Sequence, residues 1–208
     1  MGHSTILDII ASITVFGLLL LMVLSLNSGI NEYSSAYVAN SLLQKNMIKL
    51  TIQLEEDLKR VGCNASFTLT GSPPIMVADS NRLQFRGDVT GDGAFDVVEY
   101  RVGPTTDLSY TPNPSDRILF RTENGVTVQM NIGVTEFRFR YFDILNPNVP
   151  LTFPIAALGN IGPIDVSIKL ESPNKMKQEY MADTSQYEMY WRQIRTISRN
   201  QQLSTAAR

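Results

Sequence analysis

The stretch STILDIIASITVFGLLLLMVLSL, Ser4 to Leu26, is the most apolar run in the chain. Asp8 is its only charged residue, and no charge occurs from Ile9 to Leu26. At a rise of about 1.5 Å per residue, that uncharged segment spans roughly 27 Å as a helix, which is close to the thickness of a bilayer core. The sequence therefore predicts a membrane-spanning helix near the N-terminus.

A cleaved secretory signal explains this run less well than an anchor does. Such a signal has basic residues before an apolar core of about 7–15 residues, and small residues at its cleavage site. Here no Lys or Arg precedes Lys45, the apolar run is longer, and no clear Ala-x-Ala site follows it. A permanent membrane anchor fits the length of the run better.

A helical pattern continues beyond the apolar run. Apolar residues recur at spacings of three and four with polar residues between them, which is typical of an amphipathic helix with one apolar stripe. Gly62 is a suitable residue to end such a helix. We therefore predict a single helix from about Ser4 to about Val61. The predicted stripe is Ile30, Tyr33, Tyr37, Leu43, Met47, Leu50, Leu54, Leu58 and Val61.

The period of the pattern changes to two in the rest of the chain, which predicts an antiparallel sheet with one buried face. Asn124-Gly125 lies between two alternating runs and predicts a hairpin. The predicted fold class is therefore α+β, with a long N-terminal helix packed on an antiparallel β-sheet head. The apolar residues assigned to the buried face are Leu83, Phe85, Val98, Tyr100, Val102, Ile118, Phe120, Val126, Val128, Met130, Ile132, Phe137, Phe139, Tyr141, Ile164, Val166, Ile168 and Leu170. Residues 146–163 and 173–185 are predicted loops, and residues 187–193 a last strand.

Composition argues against several function classes. The net charge is −2 and the basic residues are scattered, so no nucleic-acid partner is expected. His3 is the only histidine and Cys63 the only cysteine, which removes the Ser-His and Cys-His nucleophile systems and any disulfide framework. Glu55, Glu56 and Asp57 are predicted to form a solvated or subunit-facing charged patch. The chain is therefore predicted not to be an enzyme.

The segment from Asp88 to Glu99 has the spacing of a twelve-residue calcium loop. Oxygen ligands at alternate positions, with a glycine at the sixth, suit a Ca²⁺ shell of six to eight oxygens. The candidate ligands are Asp88, Thr90, Asp92, the carbonyl of Ala94, Asp96 and Glu99. The flanking segments have the pattern of strands, so the alternative is a hairpin turn rich in residues that tolerate positive φ. Ca²⁺ is thus a candidate cofactor, and both interpretations stay open.

The order of these segments resembles type IV pilins and the pseudopilins of type II secretion, most closely the PilW-like minor pilins and the J-type pseudopilins. The resemblance is carried by the helix end Leu54–Gly62, the strand–turn–strand unit Leu83–Tyr100, and the strands Val134–Asp143 and Ile164–Leu170. It implies a structural subunit of a pilus or pseudopilus filament, and the large head favours a minor subunit. It also implies an inner-membrane location before assembly, an extracytoplasmic head, and other pilin or pseudopilin subunits and the prepilin peptidase as partners.

The resemblance further implies a short leader and an acidic residue near the start of the mature helix. Residues 1–3 are the candidate leader, with cleavage after Gly2 or after His3. Asp8 is the acidic residue, and the resemblance implies that it neutralises the N-terminal amine of a neighbouring subunit. The residues alone also allow Asp8 to lie at the membrane surface, where it favours the positive end of the helix.

The predicted organisation has four parts. Residues 4–26 are the transmembrane half of the helix, residues 27–62 its amphipathic half, and residues 63–208 the β-rich head that follows the leader. The competing hypothesis is a monomeric, membrane-anchored extracytoplasmic binding module that uses the Asp/Gly loop to bind Ca²⁺.

Overall fold

The computed structural model describes residues 2–64, 73–177 and 185–197, which form one long α-helix and seven β-strands. The helix is α1 (Gly2–Lys59), and two short 3₁₀ turns occur at Thr105–Leu108 and Leu158–Asn160. The predicted α+β class is confirmed. The strands are β1 (Ile75–Ala78), β2 (Arg82–Gly87), β3 (Asp96–Val102), β4 (Arg117–Glu123), β5 (Val126–Asp143), β6 (Ile161–Lys177) and β7 (Ser185–Thr196).

The chain divides into two compact units, Met1–Ser41 and Leu42–Arg208. In the first unit the described residues all belong to α1. The second unit contains the remainder of α1, from Leu42 to Lys59, and all seven strands.

The sheet is a simple antiparallel meander. Each strand pairs with the next one in sequence, so the strand order is β1-β2-β3-β4-β5-β6-β7. The predicted hairpin joins β4 to β5, with φ of 49° at Asn124 and 85° at Gly125. Positive φ at both central residues gives a turn whose twist matches that of the flanking strands.

The core of the second unit lies between α1 and one face of the sheet. The predicted stripe residues from Leu43 onward share one buried cluster with the apolar residues of β2, β3, β5 and β6, and Val61 among them lies just after the end of α1. The packing of the helix stripe on the sheet is therefore confirmed for this unit. The stripe residues in the cluster are Leu43, Met47, Leu50, Leu54, Leu58 and Val61, each exposed by 6% or less.

The predicted buried face of β4 and of the start of β5 is wrong. Leu119 is the fully buried residue of β4, whereas Ile118 and Phe120 are only half-buried. Val126 and Val128 are exposed on β5. Ile118 and Phe120 alternate with Leu119 and therefore lie on the other face of β4. Val128 lies opposite Arg121 and Val126 opposite Glu123, so both valines share the face of Leu119, but they lie at the turn end of the hairpin and stay exposed.

Two predicted loop boundaries are also wrong. β6 begins at Ile161 and runs to Lys177, so it includes the last residues of the first predicted loop and the first residues of the second. The register shift between Glu171 and Lys175 accommodates Pro173 within this strand, because a bulge removes the need for its N–H. β1 was not predicted, and residues 178–184 of the second loop lie outside the described residues.

Asp57 is buried, which corrects its assignment to a solvated patch, whereas Glu56 is exposed. Asp57 Oδ2 accepts hydrogen bonds from the Tyr100 hydroxyl at 2.6 Å and from Arg121 Nε at 2.9 Å. Burial and the neighbouring carboxylate raise the pKa of Tyr100 well above its usual value. The helix is thus tied to β3 and β4 by a charged contact inside an apolar interface.

We expect Asp57→Ala to lower the free energy of unfolding of the second unit by about 3 kcal/mol, because it leaves the Arg121 guanidinium buried without its main partner. Denaturant unfolding in detergent, followed by near-UV circular dichroism of the buried tyrosines, measures the change. Glu56→Ala, the adjacent exposed carboxylate, is the control and should change stability by less than about 0.5 kcal/mol. Equal effects of the two variants would contradict the role given to Asp57.

Candidate functional site

The apolar part of α1 is long enough to cross a membrane. The segment Ile6–Asn27 has a mean hydropathy of 2.7, and none of it is buried within the protein. Its polar side chains bond to the helix itself, since Ser12 Oγ and Thr14 Oγ1 donate to the carbonyls of Asp8 and Ile10, each at 2.8 Å. The predicted apolar N-terminal helix is therefore confirmed, and it is compatible with membrane anchoring.

Asp8 lies two residues into this segment with an exposed side chain. The backbone of Gly2 and His3 forms the start of α1, whereas the side chains of residues 1–5 lie outside the description. Cleavage after either residue stays a prediction, and so does the pairing of Asp8 with an N-terminal amine.

The Asp/Gly loop connects β2 to β3 and is organised by the carboxylate of Asp88. Asp88 Oδ1 accepts a hydrogen bond from the Gly91 N–H at 2.5 Å, and Oδ2 accepts one from the Gly93 N–H at 3.0 Å. Both glycines have positive φ, 81° and 92°, so any other residue type would be strained at these positions. The buried carboxylate thus holds the turn closed from inside.

Asp96 holds the other side of the loop. Its Oδ2 accepts hydrogen bonds from the Val89 N–H at 3.0 Å and from the Thr90 N–H and hydroxyl at 3.1 Å. Its Oδ1 accepts a bond of 2.7 Å from Asn124 Nδ2 of the neighbouring hairpin turn. Burial disfavours the charged form, but these hydrogen bonds outweigh it and hold the pKa of Asp96 below its usual value.

The remaining predicted ligands are not gathered around a common point. Asp92 is exposed and accepts a hydrogen bond from the Ala94 N–H at 2.8 Å. Glu99 lies on β3 and binds the Arg82 guanidinium through both oxygens, at 3.1 and 3.0 Å. Within residues 2–64, 73–177 and 185–197, no group of three or more His, Cys, Asp or Glu side chains is placed to hold a metal ion.

The loop hydrogen bonds account for Asp88 and Asp96 as turn-forming residues. They satisfy backbone N–H groups of the loop, as Asx turns do. The hairpin-turn interpretation is thus sufficient for the loop's composition. Ca²⁺ binding stays a prediction that requires a rearrangement of Glu99.

The loop is fastened to the end of α1, a contact that the sequence pattern did not predict. Arg60 Nη1 donates to the carbonyls of Asp88 and Val89 at 2.8 and 3.1 Å. The Gly62 N–H donates to the Arg86 carbonyl at 2.7 Å. At Gly87 an added Cβ would lie 2.4 Å from the Arg60 carbonyl oxygen, so only glycine allows this close approach.

A buried polar cluster below the β3–β4 connection was also missed. Asn113 Nδ2 donates to Glu171 Oε2 at 2.9 Å, and Lys169 Nζ lies 2.6 Å from the other oxygen of that carboxylate. Asp116 is buried beside it, and burial raises the pKa of Asp116, with a hydrogen bond from Thr111 opposing the rise and the charge of Glu171 adding to it. The partners are 58 positions apart in sequence, so no local spacing could have revealed them.

Comparison of the chain with protein-family models, with curated proteins and with solved structures finds no match.

We expect Asp96→Asn to destabilise the second unit at neutral pH by about 2 kcal/mol, because an amide replaces a carboxylate that accepts four hydrogen bonds. Since the pKa of Asp96 is lower in the folded state, its contribution is present above the unfolded value of about 3.9 and is lost as the pH falls through the folded value. Denaturant unfolding between pH 3 and 7 should show the two proteins converging in acid. The exposed Asp92→Asn is the control, and a constant difference at all pH values would contradict this role.

Titration calorimetry of the full chain in detergent tests the calcium prediction. A loop with this ligand set and no rigid helical flanks is expected to bind with a dissociation constant of about 10⁻⁴–10⁻³ M. Asp92→Asn should remove the heat of binding, whereas Asp107→Asn, an acidic residue outside the loop, should preserve it. Absence of heat at millimolar Ca²⁺ would leave only the turn.

Proposed function

We propose that this protein is a pilin-like structural subunit, inserted in a membrane by its N-terminal helix and assembled through that helix into a pilus or pseudopilus filament. The observation that carries the proposal is the exposed apolar surface of Ile6–Asn27 at the start of a 58-residue helix. In the resembled family, such a segment occupies the membrane first and the filament core afterwards.

The surface of Ile6–Asn27 is suited both to lipid and to a bundle of apolar helices. Every side chain from Ile6 to Phe16 is exposed, and so are those from Leu18 to Asn27. Such a surface must be covered either by lipid or by other apolar helices. Because lipid tails and apolar side chains are about equally apolar, the transfer between the two is nearly balanced in free energy. Specific contacts can then decide between membrane and filament.

Asp8 is the residue best placed to supply such a contact. A carboxylate within an apolar span costs about 2.5–3.5 kcal/mol on insertion scales, which favours any state that neutralises it. An N-terminal amine from an adjacent copy would do so in a helical bundle. The Asp8 charge then fixes the stagger of neighbouring helices, because only one stagger brings the carboxylate and the amine together.

The second unit supports the role of a head. Its core is closed by its own helix segment and sheet, so it can be presented outside the membrane without further burial. We infer that the head determines which other subunits the protein binds. We also infer that the prepilin peptidase cleaves the chain after Gly2 or His3.

We expect Asp8→Ala to reduce the amount of protein in the sheared extracellular fraction by tenfold or more, because assembly loses the neutralising contact while insertion becomes easier. Immunoblots of the sheared and membrane fractions give the ratio. Asp8→Glu should retain assembly, and Ser12→Ala, one turn along the helix, is the matched control. Mass spectrometry of the N-terminus identifies the cleavage site.

Two results would count against the proposal. Wild-type shear release by Asp8→Ala would remove the assembly role of this residue. Retention of the unaltered protein in the membrane fraction, with none in the sheared fraction, would favour the anchored binding module instead.

A further inference from the structure

The last strand, β7, lies at an edge of the sheet. Among the described strands it pairs with β6 alone, and the sheet order ends with it. At 12 residues it is long for an edge strand, and no strand among residues 2–64, 73–177 and 185–197 pairs with the backbone N–H and C=O groups on its open side.

β7 presents two large apolar side chains at this edge. Met189 and Trp191 are exposed by 57% and 61%, and both point to the face of the sheet opposite the core residue Ile194. Large apolar side chains on an open edge favour pairing with another chain. An occupant of the edge should therefore offer apolar groups at the same alternate positions.

Glu188 is a second, independent indication that the open edge of β7 pairs with another strand. One carboxylate oxygen of Glu188 is buried and, among the described residues, has no hydrogen-bond partner. The Glu188 N–H donates to Ser172 Oγ on the β6 side at 3.1 Å. Because successive N–H groups along a strand point to opposite sides, those of Met189 and Trp191 point to the open side. Within the part of the chain that the structure describes, the edge thus presents a carboxylate oxygen without a hydrogen-bond partner beside backbone donors that no other strand accepts.

The sequence of β7 is complementary to itself when two copies run antiparallel. If Tyr190 of one copy lies opposite Tyr190 of the other, then Glu188 lies opposite Arg192 and Met189 lies opposite Trp191. Two-fold symmetry produces each of these pairs twice. The opposite charges and the apolar side chains meet in cross-strand positions that stabilise a sheet.

We propose that β7 is a homodimerisation strand, which joins two copies of this chain into one continuous antiparallel sheet with Tyr190 on the two-fold axis. The guanidinium of Arg192 from the second copy supplies a hydrogen-bond partner for the Glu188 carboxylate. In the single chain Arg192 is exposed. Its Nη2 lies 3.9 Å from Glu55 Oε1, which is too long for a strong ion pair, so the guanidinium can also bind Glu188 of the second copy.

Charge disfavours the registers whose axis lies two residues away on either side. A shift of the axis to Glu188 would bring the two Glu188 carboxylates together, and a shift to Arg192 would bring two guanidinium groups together. Like charges directly opposite each other destabilise a sheet. The Tyr190-centred register also pairs nearly the whole strand, so it combines the best charge match with almost the largest overlap.

Disulfide cross-linking tests the register in the full chain in detergent, in a Cys63→Ala background. Tyr190→Cys should cross-link with itself, because residues on the axis lie about 4.5–5.5 Å apart. Tyr187→Cys alone and Gln193→Cys alone should not, because identical positions would lie about 20 Å apart. A mixture of these last two variants should cross-link, since residue 187 faces residue 193.

Charge reversal tests the energetics by sedimentation equilibrium. Glu188→Lys and Arg192→Glu should each raise the dissociation constant of the dimer about tenfold, and the double variant should restore it. Arg140→Glu makes the same charge change on β5, which β6 separates from the edge strand, and should leave the dissociation constant of the dimer unchanged. Circular dichroism confirms that each variant is folded.

A monomer at all concentrations, or equal cross-linking by all single-cysteine variants, would overturn the proposal. Failure of the double reversal to restore the dimer would overturn it as well. No assembly machinery is present in detergent, so these outcomes bear on the strand pairing and not on the proposed filament.

Discussion

The second unit depends on one contact, the burial of the apolar stripe of α1 on one face of the sheet. A seven-strand meander has no partner for that face within itself, and the helix supplies one. Leu54 and Leu58 are almost completely buried at the centre of this contact. Asp57 lies between them in sequence, and its carboxylate also faces the sheet, where it accepts hydrogen bonds from Tyr100 and Arg121. The apolar contact provides most of the stabilisation, and the charged one fixes the helix rotation.

The sequence was sufficient for the parts of the fold that are set by local periodicity. The helix, the Asn124-Gly125 hairpin and the buried faces of β2, β3 and β6 follow from residue spacing alone. The errors at β4 and at the start of β5 have different causes. Both faces of β4 carry apolar residues, so alternation alone did not identify Leu119 as the core residue. Val126 and Val128 lie on the core face, but at the exposed turn end of the hairpin. β1 is short and follows two prolines, so its four residues carry too little pattern to be recognised.

The candidate site was less predictable because its contacts are distant in sequence. The spacing from Asp88 to Glu99 located the loop correctly, but it could not show that Glu99 is bound by Arg82. Asp96 and Asn124 come from different turns and meet only because β3 and β4 are neighbours. A carboxylate that accepts backbone hydrogen bonds and one that coordinates a metal have the same sequence signature. Only the partners distinguish them.

The two units present surfaces of different kinds, and this difference bears on how copies of the chain could associate. The surface of Ile6–Asn27 is exposed and mostly apolar, and Asp8 is its only charged group, so it offers few groups that could select a stagger between neighbouring helices. β7 is directional, because backbone hydrogen bonds and alternating side chains define both register and orientation. An apolar helix can therefore be exchanged between lipid and other helices at little cost, whereas a paired edge strand must be broken residue by residue. Association through β7 would thus be the more specific of the two contacts, and association through the span the more easily reversed.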